Sequence, residues 1–326
     1  MIILHFQETH TPMLINTPEQ WNNQPFNPIS NFYKSHFGEK VYKIPVSVVD
    51  TCPNREGLKG METCVFCDVW GSAARSEAQE LPLDMQIRKY KRVIGEKFKT
   101  KKFLVYFQAY TNSFAKVQAI RENFYRALEH EGVVGFVVGT RPDCISPALL
   151  RLWQEIHEKS FVSVELGAQT FRDDKLEWMK RGHTNEQTLK AIKRIQTDTD
   201  VDLGLHFMFG LPNETREEIR EAAQITADLG ITNVKLHNLH VLKDTPLEKD
   251  YFNHKFTPCT LEEYSEKVGD FLSHLPPHIY VHRLAALASR WEELIAPDWT
   301  RHKMDTHQKI LSYLKRHEIV QGCALN

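Results

Sequence analysis

The chain alternates between apolar, β-rich runs and stretches of helical periodicity, and this alternation constrains its fold more than any other feature. We predict strands at Val41–Val49, Phe103–Gln108, Val133–Gly139, Phe161–Gly167, Val201–Phe209 and Asn233–Leu239. Helices are predicted at Pro82–Lys99, Ala115–Glu131, Ser146–Lys159, Asn185–Asp198, Glu214–Leu229 and Leu261–His274. Ser146 before Pro147, and Thr215 before an acidic turn, are helix start signals. Alternating units of this size indicate a parallel α/β sheet or barrel.

The two faces of the predicted strands differ in a way that favours a barrel. One face is small or polar: Ser163, Glu165, Gly167 and Gln169 in the fourth strand, and Gly204, His206 and Met208 in the fifth. The other face is apolar, as expected when side chains alternate and one side packs on helices. An open sheet covered by helices is apolar on both sides. We therefore predict an α/β fold, a partial (β/α)6 TIM-like barrel, with its site at the C-terminal strand ends.

Length and charge set the expected organisation of the chain. Within its 326 residues we predict an N-terminal extension at 1–40, the core barrel at 41–275 and a helical C-terminal extension at 276–326. The net charge of −1 gives no overall field that attracts nucleic acid or an anionic membrane. No secretory signal stands out at the N-terminus, and no apolar run approaches the roughly 18 residues of a membrane helix. We expect a cytoplasmic protein without a membrane partner.

Three cysteines directly after the first predicted strand point to a metal centre. Cys52, Cys64 and Cys67 have the spacing C-x11-C-x2-C, and we refer to residues 52–67 as the cysteine loop. Structural zinc and ordinary iron–sulfur clusters normally take four protein ligands. Three cysteines can hold a cubane cluster that leaves one iron open to an outside ligand. Structural zinc completed by a histidine or a distant cysteine is an alternative, as is an electron carrier or redox sensor.

Several other residues admit two interpretations. Cys144, Cys259 and Cys323 are scattered and are expected to be ordinary thiols. The basic stretch from Arg88 to Lys102 suits a solvated helix face better than an RNA-binding surface. His237 and His240 would point to opposite faces of a strand, so a shared metal ion is not expected. His237 and Lys235 are candidates for substrate contact.

Segments beyond the cysteine loop complete a family pattern. They are Gln108-Ala-Tyr-Thr-Asn-Ser113, Glu165-Leu-Gly-Ala-Gln-Thr170, Lys180-Arg-Gly-His183, Phe209-Gly-Leu-Pro-Asn-Glu-Thr215, Lys235-Leu-His-Asn-Leu-His240 and Asp244-Thr-Pro-Leu247. Together with the cysteine loop they resemble the radical S-adenosylmethionine (AdoMet) enzymes. The long first cysteine gap departs from the commonest C-x3-C-x2-C and occurs in the branch of the Elongator catalytic subunit. The whole pattern is most similar to the YhcC-like bacterial branch, with an Elongator, MiaB and NifB type of core.

The resemblance implies cofactors, a reaction and binding residues. Cys52, Cys64 and Cys67 would hold a [4Fe-4S] cluster, and S-adenosyl-L-methionine would be cleaved reductively to a 5′-deoxyadenosyl radical. The expected AdoMet-binding residues are Gln108, Ala109, Tyr110, Glu165, Gln169, Arg181 and His206, the last standing where relatives often have an acidic residue. The family also implies a flavodoxin- or ferredoxin-like electron donor. The substrate, a small molecule or RNA, and the catalytic residues that act on it are not identified by the sequence.

Overall fold

The protein is described by a computed structural model that covers residues 19–68, 81–288 and 292–325. The strands are β1 (Val41–Val46), β2 (Lys102–Phe107), β3 (Val133–Thr140), β4 (Phe161–Gln169), β5 (Asp202–Phe209), β6 (Asn233–Asn238), β7 (Val241–Leu242), β8 (Tyr280–Val281) and β9 (Leu294–Ala296). Seven of them form one parallel sheet in the order β1-β2-β3-β4-β5-β6-β8, while β7 and β9 pair antiparallel. The curled sheet confirms the predicted partial TIM-like barrel.

Helices alternate with the strands along the chain. They are α1 (Ile29–Phe37), α2 (Leu83–Phe98), α3 (Val117–Leu128), α4 (Pro147–His157), α5 (Asp173–Trp178), α6 (Asn185–Asp198), α7 (Arg216–Asp228), α8 (Pro246–Phe252), α9 (Leu261–Ser273) and α10 (Lys303–Arg316). Ser146 caps α4 by accepting from the Leu149 amide, and Thr215 forms a capping box with Glu218 at α7. Both predicted helix starts are therefore confirmed.

The strand predictions need correction at the end of β1 and at the short strands β7, β8 and β9. β1 ends at Val46 rather than Val49, because the Ser47 amide donates to the Gln86 side chain at 2.8 Å instead of continuing the ladder. β8 was not predicted, since two residues carry no alternation. It pairs with β6 although it lies within the predicted C-terminal extension. The domain bounds 1–40, 41–275 and 276–326 stay a prediction, and residues 1–18 lie outside the described part of the chain.

The core lies between the sheet and its outer helices. Val162, Val164, Leu166 and Ala168 of β4 are fully buried there, as the apolar parity predicts. Burial of such side chains contributes about 25 cal/mol per Å² of apolar surface. The alternate side chains turn into the barrel, so the same two-residue repeat that builds the core also presents polar groups inside.

Apolar side chains fill the barrel at the N-terminal ends of its strands. At the N-terminal ends of the strands, Tyr33, Val41, Leu104, Val137 and Phe161 form a separate apolar cluster to which α1 contributes. This cluster closes the bottom of the barrel.

On α2, Arg88, Arg92 and Lys97 are exposed, as expected of a solvated helix face. Within the described ranges, the chain has no helix of the length and apolar character that crossing a bilayer demands.

Candidate active site

A cavity of about 310 Å³ opens at the C-terminal ends of the strands. Its lining includes nine of the ten residues predicted for the site: Cys52, Cys64, Cys67, Gln108, Tyr110, Glu165, Gln169, Arg181 and His206. Ala109 is buried behind this lining, and its carbonyl accepts from the Asn112 side chain at 3.1 Å. Barrel geometry accounts for the convergence, since parallel strands deliver all their C-terminal ends to one edge.

The cysteine loop supplies one wall of the cavity. All three cysteines are free thiols, Cys64 buried and the other two partly exposed. A guanidinium nitrogen of Arg181 lies 3.6 Å from the Cys64 sulfur, and one of Arg55 lies 3.4 Å from the Cys67 sulfur. Burial raises the pKa of Cys67, and nearby Cys64 adds to this effect, while Arg55 opposes it. The wall therefore combines thiols with fixed positive charge.

Buried hydrogen bonds fix the cysteine loop to the barrel. The Asn54 amide donates to the carbonyl oxygens of Glu62 at 2.6 Å and Lys180 at 2.7 Å. Arg141, just after β3, donates to the Asn54 side chain and, at 2.6 Å, to the Arg181 carbonyl. We call Asn54 and Arg141 the loop clamp. The clamp joins the cysteine loop to the segment that carries Arg181.

The clamp was not predicted from the sequence. Its only visible signal is the Arg141-Pro-Asp143 tripeptide at a strand end, where polar groups often serve a site. Asp143 holds the guanidinium of Arg141 from the side, with two nitrogen–oxygen distances of 2.9 Å. Such a fork-to-carboxylate pair fixes the orientation of the arginine.

The end of β4 brings Gln169 and Arg181 together above a glycine. A Cβ atom at Gly167 would lie 2.9 Å from the Gln169 side-chain nitrogen and 3.4 Å from an Arg181 nitrogen. Glycine therefore makes room for both polar groups. Gln169 and Tyr110 also adopt positive φ angles of 69° and 55°. Non-glycine residues in this region of conformational space concentrate at functional sites.

The interior of the barrel holds a charged network centred on Glu165. The carboxylate accepts from the Tyr106 hydroxyl at 2.8 Å, from Lys235 at 2.9 Å and from Lys43, and it lies 2.6 Å from His206 Nε2. We call these five residues the Glu165 network. The Glu165 side chain has no exposed surface. Its oxygens are engaged by the protein itself, so direct binding of AdoMet by Glu165 stays a prediction.

The network sets the charge of the cavity. Burial alone would raise the pKa of Glu165, but Lys235 and Lys43 hold this pKa well below its usual value. Burial lowers the pKa of Lys235 to about 7 and that of His206 to about 4. At neutral pH the carboxylate is therefore ionised and His206 is neutral.

A second wall is formed by β6 and by the segment after β8. We define the β6 wall as Lys235, His237, Asn238, His240 and Arg283, which all line the cavity. The expectation that His237 and His240 face opposite ways is wrong, because β6 ends at Asn238 and His240, which lies beyond the strand, also lines the cavity. Arg283 was not predicted from the sequence. It lies outside the six predicted strands, and no pattern in the sequence around it points to the cavity.

Comparison with known proteins decides the family. The sequence model of the Radical SAM superfamily matches residues 46–225, and that of the Radical_SAM C-terminal domain matches residues 231–316. The chain belongs to the radical SAM superfamily. It is an enzyme of this class, as predicted, and its relatives also bear out the YhcC-like branch.

Relatives of this radical SAM enzyme align over nearly their whole length. It is 31% identical to YtqA of Bacillus subtilis (strain 168) over 312 residues, covering 95% of this chain and 96% of YtqA. It is 32% identical to YhcC of Escherichia coli (strain K12) over 290 residues, covering 89% and 92%. The Elp3 structure from Methanocaldococcus infernus superposes with a TM-score of 0.66 at 16% identity, covering 86% of this chain and 64% of Elp3. At this identity, the similarity to Elp3 supports a shared fold and nothing more.

The residues of the site fit the cofactors of the superfamily. Radical SAM enzymes bind a [4Fe-4S] cluster and AdoMet. The cysteine loop offers three free thiols on one cavity wall, with two guanidinium groups beside them to balance an anionic cluster. Across the described ranges, no three His, Cys, Asp or Glu side chains are grouped as ligands of one metal ion. A cubane does not require such grouping, because each thiolate binds a different iron.

Proposed function

We propose that this enzyme holds a [4Fe-4S] cluster on Cys52, Cys64 and Cys67 and cleaves AdoMet reductively within the cavity. When bound, the cluster and AdoMet together supply a 5′-deoxyadenosyl radical, which acts on a substrate in the same cavity. The observation that carries the proposal is that the three cysteines share one cavity with Gln169 and Arg181. The chemistry belongs to the cofactors, and the protein orients them and excludes water.

Arg181 is the residue best suited to orient the methionine end of AdoMet. One of its nitrogens lies 3.6 Å from the Cys64 sulfur and another 3.3 Å from the Gly167 carbonyl. Its Nε is buried without a hydrogen-bond partner. A buried donor without a partner is costly, and a carboxylate is the natural acceptor for a guanidinium. The resemblance assigns the same neighbourhood to Arg181.

The function is tested by reconstituting the protein anaerobically with iron and sulfide, reducing it with dithionite and adding AdoMet. We expect 5′-deoxyadenosine that depends on protein and reductant, quantified by chromatography. A low-temperature EPR spectrum should change when AdoMet is added, because AdoMet would bind the iron that no cysteine holds. If the EPR spectrum of the cluster does not change on addition of AdoMet and no 5′-deoxyadenosine forms, the protein is instead an electron carrier or redox sensor.

We expect Arg181→Ala to weaken AdoMet binding about tenfold or more, since a charge-assisted hydrogen bond is lost. The cluster should remain, because the three thiols are unchanged. Equilibrium dialysis measures AdoMet affinity, and iron analysis measures cluster content. Arg172→Ala is the matched control, as this arginine is exposed just before α5 and does not line the cavity. Unchanged AdoMet affinity in Arg181→Ala would remove Arg181 from the cofactor site.

The partners follow from the chemistry. Reductive cleavage needs one electron, for which we propose a flavodoxin- or ferredoxin-like donor. A tRNA substrate is the alternative to a small molecule. It is supported by 28% identity over 219 residues to the tRNA uridine(34) acetyltransferase of Methanocaldococcus jannaschii, which covers 65% of this chain and 37% of that protein. Salt-sensitive retention of RNA by the purified enzyme would favour tRNA.

A further inference from the structure

The β6 wall carries more positive charge than its surroundings neutralise. Lys235 shares the carboxylate of Glu165 with Lys43, so one carboxylate serves two lysines. Arg283 contacts the imidazole of His237, with 3.1 Å between its terminal nitrogen and Nδ1. Burial, reinforced by Arg283, keeps the pKa of His237 well below its usual value, so this partner is neutral. Over the described ranges, Arg283 has no carboxylate within ion-pair distance.

Donor atoms on the same wall also lack partners. The Arg283 Nε and the Asn238 Nδ2 are buried without hydrogen bonds. The Asn238 side chain is oriented by its oxygen, which accepts from the Ala286 amide at 3.0 Å. This contact identifies the nitrogen of the Asn238 side chain as the atom without a hydrogen-bond partner. Buried polar groups in native proteins are nearly always paired, and an unpaired one is destabilising.

The backbone keeps this arginine in place. The Arg283 carbonyl accepts from the Leu236 amide at 3.2 Å, and the neighbouring His282 amide donates to the Val234 carbonyl at 2.9 Å. The segment after β8 is thus tied to β6 on the residues that flank Lys235. Backbone hydrogen bonds to β6 therefore hold Arg283 beside Lys235.

We propose that the β6 wall binds an anionic group of the substrate, a carboxylate or a phosphate, with Arg283 as the principal contact. The guanidinium fork matches both groups in geometry, and an incoming anion would neutralise the excess charge and satisfy the unpaired donors. The inference rests on the proposed function, which assigns the carboxylate of AdoMet to Arg181 and leaves the β6 wall to the substrate.

The test uses reconstituted enzyme saturated with AdoMet and two simple anions. Binding of inorganic phosphate is followed by phosphorus NMR line width, and binding of ¹³C-labelled succinate by carbon NMR line width. We expect one or both anions to bind. Arg283→Met should weaken that binding about tenfold or more, and Arg283→Lys should retain part of it. The matched control, Arg151→Met, removes the same charge from an exposed helix position and should bind as wild type.

A second variant covers the case in which Arg283→Met does not fold. Asn238→Asp is nearly isosteric and keeps an oxygen for the Ala286 amide, but it adds negative charge to the wall. We expect it to lose anion binding. Binding of phosphate alone would specify a phosphorylated substrate, and binding of succinate alone a carboxylated one. Absence of binding in wild type, or equal binding by wild type and both variants, would overturn the proposal.

Failure of the anion site and failure of the proposed function are distinguishable. Cys67→Ala should lose the cluster and still bind the anion. If 5′-deoxyadenosine forms but no anion binds, only the substrate inference is wrong. If the anion binds but AdoMet is never cleaved, only the proposed function is wrong. If Arg283→Met weakens the binding of AdoMet rather than the binding of the added anion, the β6 wall binds the cofactor and the substrate assignment is overturned.

Discussion

Replacing Cys64 with alanine should abolish both cluster retention and AdoMet cleavage. The three cysteines are the whole protein ligand set proposed for the cluster, and two thiolates would leave two irons without protein ligands. Cys64 is also the most buried of the three, with 4% of its surface exposed. Iron and sulfide per chain, together with 5′-deoxyadenosine formation, measure the effect. Cys52→Ala and Cys67→Ala should behave in the same way.

Cys144→Ala is the matched control for the cysteine variants. Cys144 is partly buried and does not line the cavity. Burial raises the pKa of its thiol to about 12, so at neutral pH it is protonated and a poor ligand. This variant should keep its iron and its activity. A Cys64→Ala protein that retains both cluster and cleavage would exclude Cys64 from the metal site.

Glu165→Ala should destabilise the fold by about 3–5 kcal/mol, the usual cost of removing one partner from a buried ion pair. The substitution leaves the ammonium groups of Lys43 and Lys235 without their shared counter-charge. Denaturant unfolding followed by circular dichroism measures the loss. Because the pKa of Glu165 is lowered on folding, its contribution is present at neutral pH and is lost only as pH falls through the lowered value.

The control for this variant is Glu155→Ala, which removes a carboxylate from a half-exposed pair with Arg121. Solvent screens such a pair, so the unfolding midpoint should hardly move. Glu165→Gln separates charge from shape, since it keeps the volume of the side chain and can still accept hydrogen bonds. If Glu165→Ala unfolds at the same denaturant concentration as wild type, the network does not stabilise the barrel.

The fold was largely predictable because its signals are local. The helix at Asn185–Asp198 begins and ends where predicted, and all six predicted strands are present. Each depends on an apolar face of fixed period that packs in a fixed direction. The errors lie where long-range contacts override the local pattern. Gln86 from α2 ends β1 early, and β8 exists only because β6 offers it an edge.

The site was predictable to the extent that it follows strand parity and the cysteine spacing. Glu165 and His206 turn inward as the alternation predicts, and Lys235 joins them from β6. Arg141, Asn54 and Arg283 were missed because their roles depend on partners far along the chain. No repeat or spacing in the sequence brings such residues together, and only the folded chain does so.

The loop clamp couples two walls of the cavity to each other. Arg141 bonds both to the cysteine loop, through Asn54, and to the backbone of Arg181. Any ligand that orders Arg181 therefore also favours the arrangement of the cysteine loop, and linkage requires the reverse to hold. The cysteine loop and the segment that carries Arg181 are therefore stabilised as one unit.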